Sequence, residues 1–262
     1  MKKLKNFEKK AQILWLFLFT LVAAITVDFF HLNFLIATLI LFGIPSLYLT
    51  FNNPRLIKKS LLFMVIIVIP MVLIFEYLAF VDQTWFVPNS AFRFLDGSIP
   101  IEVVVWSILW VYYGVMFWEY FLDTEKRKRL FPKSIMNLIL FVTLLLLIFF
   151  FLYIFYPGQL YIPYFYLALG ITFGIIPMSY LLWKYPRLLP KLLIIGVYFF
   201  GVSLLTELVG LRQYHWYFGG AHYLGYLNVS GQKLPYDEIL FWWGIGLPAM
   251  VCWYEFFADD RQ

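Results

Sequence analysis

Residues 135–156, IMNLILFVTLLLLIFFFLYIFY, hold no charged side chain. In hydrocarbon every backbone N–H and C=O must find its partner inside the segment, so a run of this length forms an α-helix long enough to cross a core of about 30 Å. Seven further apolar stretches approach the same length, near residues 11–27, 34–50, 60–81, 99–122, 160–183, 191–211 and 234–258. Composition agrees. The chain is 63% hydrophobic and 13% charged, where a soluble domain carries roughly a quarter charged residues. The expected fold is an all-α integral membrane protein with eight transmembrane helices.

Lysine and arginine sort by side across these spans. The N-terminal tail, the loop after span 2, the EKRKR segment with Lys133, the loop after span 6 and Arg261 place 17 of the 20 basic residues on one face. Only Arg93, Arg212 and Lys233 fall on the other. The positive-inside rule then puts both termini in the cytoplasm, and the plasma membrane is the expected location. The opening MKKLKNFEKK imitates a signal peptide but shows no small-residue cleavage site, so it is expected to be retained. The net charge of +5 is explained by this sorting and calls for no nucleic-acid partner.

The chain repeats itself. GIPSLYLTFNNPRL after span 2 answers GIIPMSYLLWKYPRL after span 6, with Pro45 and Pro54 matching Pro177 and Pro186. Glu76 precedes Trp85 by nine residues, and Glu207 precedes Trp216 by nine. IPIEVVVW answers LPYDEILFW, and FWEYFLD with Glu119 answers WYEFFAD with Glu255. The offset drifts from 132 and 131 to about 136, as loop insertions in a duplicated unit would produce. Four spans per unit give both halves the same orientation, so the expectation is two parallel four-helix repeats, residues 1–131 and 132–262.

The repeat singles out acids. Glu76 and Glu207 lie within apolar surroundings near the ends of spans 3 and 7, and an intramembrane carboxylate is a functional candidate. Glu102 and the Asp237–Glu238 pair follow Pro100 and Pro235 at the starts of spans 4 and 8. Proline suits the first helical position, and acids in the first turn suit the helix dipole, so helix capping is the plain alternative for these. Glu119 and Glu255, beside charged tails, are expected to be solvated or interfacial.

Carboxyls gathered in one apolar pocket do not all ionise together, which supplies an acid and a base in one place. The aromatics at the same depth, Trp85, Trp106, Trp216, Tyr217, Phe241, Trp242 and Trp243, offer π faces that stabilise a cation without attacking it. Ordinary packing is the plain reading of each taken singly. Such a set suits proton-initiated chemistry on a lipid-soluble alkene.

A Glu ending one span, then an aromatic pair, then P-x-(D/E)-E followed by Phe or Trp resembles the membrane-embedded lycopene cyclase domain of the bacterial heterodimeric and archaeal–fungal type. LPYDEILFW is close to that family's motif and IPIEVVVW looser, with Val103 where a second acid is usual. The resemblance spans two tandem domains, roughly residues 34–258. It implies a cofactor-independent isomerase that cyclises the ψ end groups of lycopene or a similar linear carotenoid. By the same resemblance Glu102 and Glu238 are the motif acids, Asp237 their partner, and Glu76 and Glu207 the upstream acids. The implied partners are a hydrophobic polyene and the lipid bilayer. ELVG and YLGY lean toward a carotenoid hydratase, in which water captures the same cation, and a non-catalytic carotenoid-binding or transport protein is a third reading. His31, His215 and His222 are too few and too scattered for a metal centre, Cys252 is single, and no phosphate-binding or dinucleotide motif occurs.

Overall fold

The computed structural model describes residues 2–123 and 134–257. The chain is mostly helical, with eight helices long and apolar enough to cross a membrane. They are α1 (Glu8–Phe29), α2 (Phe34–Asn52), α3 (Pro54–Asp82), α4 (Ile101–Leu122), α5 (Met136–Phe155), α6 (Phe165–Lys184), α7 (Pro186–Arg212) and α8 (Glu238–Phe257). This is compatible with a multi-pass membrane protein. The basic EKRKR segment, Lys133, Arg261 and the expected repeat boundary at 131/132 lie outside the described residues.

Two helices begin earlier than hydropathy suggests. Pro54–Leu56 and Pro186–Leu188 each form a 3₁₀ turn that runs straight into α3 and α7. Proline's fixed φ and missing N–H fit the first helical turn, so the PRL triplets start helices rather than interrupt them. Lys59, expected in a loop, is therefore helical and buried. Wide π-type turns at Leu39–Gly43 and Gly170–Ile175 end two residues before Pro45 and Pro177 of α2 and α6. A proline further on lacks the N–H for the regular ladder, and a π turn is one way to absorb the missing bond.

The expectation of an all-helical chain needs one addition. Each loop leading into α4 and α8 carries a small antiparallel hairpin. Strands β1 (Arg93–Phe94) and β2 (Ile99–Pro100) form the first, and β3 (Tyr226–Val229) and β4 (Gln232–Pro235) the second. Ser230 and Gly231 both take positive φ in the second hairpin, the geometry that a tight two-residue turn demands. The two loops meet at a mutual bridge, with Phe86 and Tyr217 exchanging backbone hydrogen bonds of 2.9 Å in both directions. Together they form a lid over one end of the bundle.

α4 is the most enclosed helix, with 72% of its apolar stretch buried, while α5 has only 11% buried and stands at the periphery. At the end of the bundle opposite the lid, Trp118 Nε1 donates to Glu255 at 2.7 Å and Tyr254 OH donates to Glu119 at 2.5 Å. Trp118 and Tyr254, like Glu119 and Glu255, are separated by 136 residues, so the contact exchanges its partners. Lys59 Nζ lies 3.6 Å from Glu119, and Lys191 Nζ 4.0 Å from Asp123. Glu119 and Glu255 are buried, against the expectation of solvent contact. The charged tails are neighbours in sequence, but Lys59 comes inward from α3 and the acids turn toward the facing helices.

Candidate active site

Beneath the lid lies a cavity of about 670 Å³. Its polar lining includes Glu76 from α3, Glu207 from α7 and Glu238 from α8, three carboxyls carried by three helices. Trp85, Trp106, Trp216 and Trp242 line it too.

Local chain geometry places the upstream acids. α3 ends at Asp82, Gln83 adopts the left-handed conformation, and Thr84 N–H returns to Ala79 O at 2.8 Å. In α7, Tyr214 adopts the same conformation and His215 N–H returns to Gly210 O at 2.9 Å. This six-to-one closure reverses the chain. The next residue, Trp85 or Trp216, folds back along its own helix. Trp85 Nε1 then donates to Glu76 at 3.0 Å, and Trp216 Nε1 to Glu207 at 2.7 Å. The nine-residue spacing read in the sequence is thus a hydrogen bond made twice. An indole N–H can only donate, so each tryptophan orients a carboxyl and leaves its second oxygen for other work.

Gly210 makes room for the second indole, since a Cβ there would come within 2.2 Å of Trp216 Cη2. Gly225, with φ +145°, carries the Tyr236 ring against its backbone. The glycines of ELVG and YLGY therefore have packing reasons of their own.

Glu238 is oriented by Tyr166 OH, which donates to Oε2. Sequence reasoning missed Tyr166. It sits near the start of α6 among other aromatics, and only the fold brings it to α8. Phe218 and Val87 complete the roof from the lid, and nothing in their local pattern marked them.

The remaining expected site residues lie elsewhere. Glu102 accepts hydrogen bonds from Ser90 Oγ at 2.5 Å and Ala91 N–H at 2.7 Å. Asp237, fully buried, accepts from Leu224 N–H at 2.7 Å. Each stands two residues after its proline and holds its own lid loop, so Glu102 corresponds to Asp237. Val103 then corresponds to Glu238, and Val103 does line the cavity. Tyr217 stacks on Phe86 in the lid with ring centroids 5.4 Å apart, outside the cavity lining. Phe241 packs on Gly170, and Trp243, outside the cavity lining itself, packs directly behind it against Tyr166 and Phe218. Trp106, Trp110 and Trp242 form a stack, with Trp110 and Trp242 4.6 Å apart and 14° from parallel.

The lid is tied down by its own polar groups. His215 Nε2 and Leu32 O are 2.8 Å apart, and the ring stacks on Phe34. Burial pushes the His215 imidazole below its ordinary range, so it is neutral and donates to that carbonyl. Burial pushes the Tyr223 phenol up, so it keeps the proton that it donates to Thr84 O.

The arrangement puts three carboxyls, each oriented by a neutral donor, among indole faces and away from water. None of the ion pairs among the described residues involves Glu76, Glu207 or Glu238. Among those residues no group of three or more His, Cys, Asp or Glu side chains is placed to hold a metal ion. No family model, curated protein or solved structure matches the chain.

Proposed function

We propose that this chain is a multi-pass membrane enzyme that cyclises the ψ end groups of lycopene or a similar linear carotenoid. In this reading it consists of two parallel four-helix repeats, residues 1–131 and 132–262, with both termini on the cytoplasmic side of the plasma membrane. The exchanged contacts Trp118–Glu255 and Tyr254–Glu119, and the mutual Phe86–Tyr217 bridge, support the repeats. Contacts that swap partners are those a two-fold relation between like units produces.

The observation that carries the activity is the meeting of Glu76, Glu207 and Glu238 in one tryptophan-lined apolar cavity. A carboxylic acid adds its proton to the terminal C=C of the substrate and leaves a tertiary cation. The π electrons of the next alkene attack that cation, so one π bond is consumed, one ring C–C bond forms and the positive charge moves into the ring. A carboxylate removes a neighbouring proton, restoring a C=C. One proton enters and one leaves, so product and substrate are isomers and no redox cofactor takes part. The indole faces stabilise the cation in transit, and exclusion of water keeps it from being captured.

Expression in a lycopene-accumulating bacterium, with pigment chromatography and mass, tests this. A new pigment of unchanged mass is expected. A pigment heavier by one or two waters would replace cyclisation with hydration, and an unchanged pigment despite folded, membrane-inserted protein would overturn the reading.

A further inference from the structure

A second cavity, of about 890 Å³, continues from the first. The two share Val72, Phe75, Ser107, Tyr166, Leu169 and Trp242 in their walls. The carboxyls belong only to the first. The second runs between α3, α4, α5, α6 and α8, and away from the shared residues it is lined by apolar side chains such as Met71, Val142, Phe173 and Ala249. Along α8 the joined space extends from Glu238 to Trp253. At about 1.5 Å per residue this is roughly 20 Å, some two-thirds of a hydrocarbon core.

Gly170, Gly174 and Gly246 line this space, and the offsets of the repeat match them to Leu39, Gly43 and Trp110, so two of the three positions are glycine in this half alone. The corresponding place between α2, α4 and α7 holds a cavity of only about 220 Å³, where Phe42 packs edge-on against Trp106. The lid covers the carboxylate end, and the space reaches the side of the bundle at α5. The side wall there is α5, the least covered helix, and Phe141, which is 39% exposed, stands in it with its ring stacked against Trp253.

From this we infer that the second cavity is a berth for a long, linear, wholly apolar chain, entered sideways past α5, with one end of that chain lying among the carboxyls. A single berth admits one end at a time. The occupant is an extended isoprenoid hydrocarbon, because a lipid acyl chain would have to bring its polar headgroup into one end of a space that is apolar at α5 and lidded at the acids. The inference rests on the reading of the carboxylate cavity as the reaction site, and its test is independent of turnover.

Purified full-length protein in detergent is loaded with lycopene, and retained pigment per chain is measured together with the circular dichroism induced in its visible band. About one lycopene per chain with an induced signal is expected. Ala249→Phe, at a berth position that is 2% exposed and lies far along α8 from the acids, lowers retention roughly ten-fold, which is about 1.4 kcal/mol. Thr38→Leu, in the small counterpart cavity, leaves retention unchanged. Should Ala249→Phe fail to fold, Leu138→Trp on the peripheral α5 repeats the obstruction. A folded obstructing variant that retains lycopene with the same signal overturns the berth, as does a purified chain that carries phospholipid and excludes lycopene. Retention that is blocked by Ala249→Phe without any cyclised product would sink the cyclase reading and leave the berth standing.

Discussion

The bundle buries two sets of glutamates, one at each end, and treats them differently. At the end away from the lid, Glu119 has Lys59 at 3.6 Å and the Tyr254 hydroxyl at 2.5 Å, and Glu255 has the Trp118 indole. At the lid end, Glu76, Glu207 and Glu238 have two indoles and a phenol, and no cation among the described residues. A buried carboxylate with a lysine beside it, as Glu119 has, is one half of an ion pair and a fastening. A carboxyl bonded only to neutral donors is free to exchange a proton. The lid-end set also borders a cavity, whereas the residues of the other set line none of the cavities described above. Glu119 thus differs from the lid-end carboxyls in having a lysine beside it, while Glu255, bonded by an indole, shares its kind of donor with Glu76 and Glu207.

The largest effect that would break this comparison lies in the acids themselves. Glu238→Gln keeps shape and can still bond Tyr166, but it loses the ionisable proton. Cyclised product should fall by about 10²- to 10⁴-fold, the range for general acid–base groups, with the protein still folded by gel filtration. Glu119→Gln should do the reverse. Losing one partner of a buried ion pair costs about 3 kcal/mol or more, so melting should drop sharply while conversion per folded molecule holds. Equal losses of activity in both variants would erase the distinction.

Gly210→Val sharpens the comparison one step further out. A Cβ at this position collides with the Trp216 ring at 2.2 Å, so the indole must leave Glu207. Conversion should fall by up to roughly ten-fold, in line with losing a hydrogen bond of about 0.5–1.5 kcal/mol. The tryptophan emission should shift red as Trp216 meets a more polar setting. Trp85→Phe removes the matching donor from Glu76 without a clash, and its smaller effect should be read in the same assay.

How much of this was legible in the sequence differs residue by residue. The eight spans were, because apolar length is a local property, and so was the Glu-to-Trp spacing, because a six-to-one helix closure followed by a returning indole is also local. Glu102 and Asp237 were legible as acids but not in role. Sequence matched Glu102 to Glu238, while hydrogen bonding to the lid matches it to Asp237. Glu119 and Glu255 were misread because charge nearby in sequence says little about which way a side chain turns. Tyr166, Phe218 and the berth depend on packing between distant helices, to which no local pattern points.

The smallest expected effect concerns the lid rather than either acid set, and it tests whether the lid-end carboxyls are kept from water by a closure that acid can loosen. Burial holds the His215 imidazole below its ordinary range, so the unfolded or opened lid binds a proton more readily than the closed one. The closed lid is therefore fully favoured above the ordinary histidine range, near pH 6.5, and loses that preference as pH falls through the lower value held in the closed state. Protonation does not remove the Nε2–H bond to Leu32 O; it charges a ring that is stacked on Phe34 and largely out of water. Iodide quenching of tryptophan fluorescence should rise modestly between neutral pH and about pH 5, reporting exposure of Trp216. His215→Gln, which keeps a donor for Leu32 O without an ionisable ring, should flatten that rise. If quenching climbs identically in both proteins, the lid opens for another reason, and the difference between the two glutamate sets rests on their hydrogen-bond partners alone.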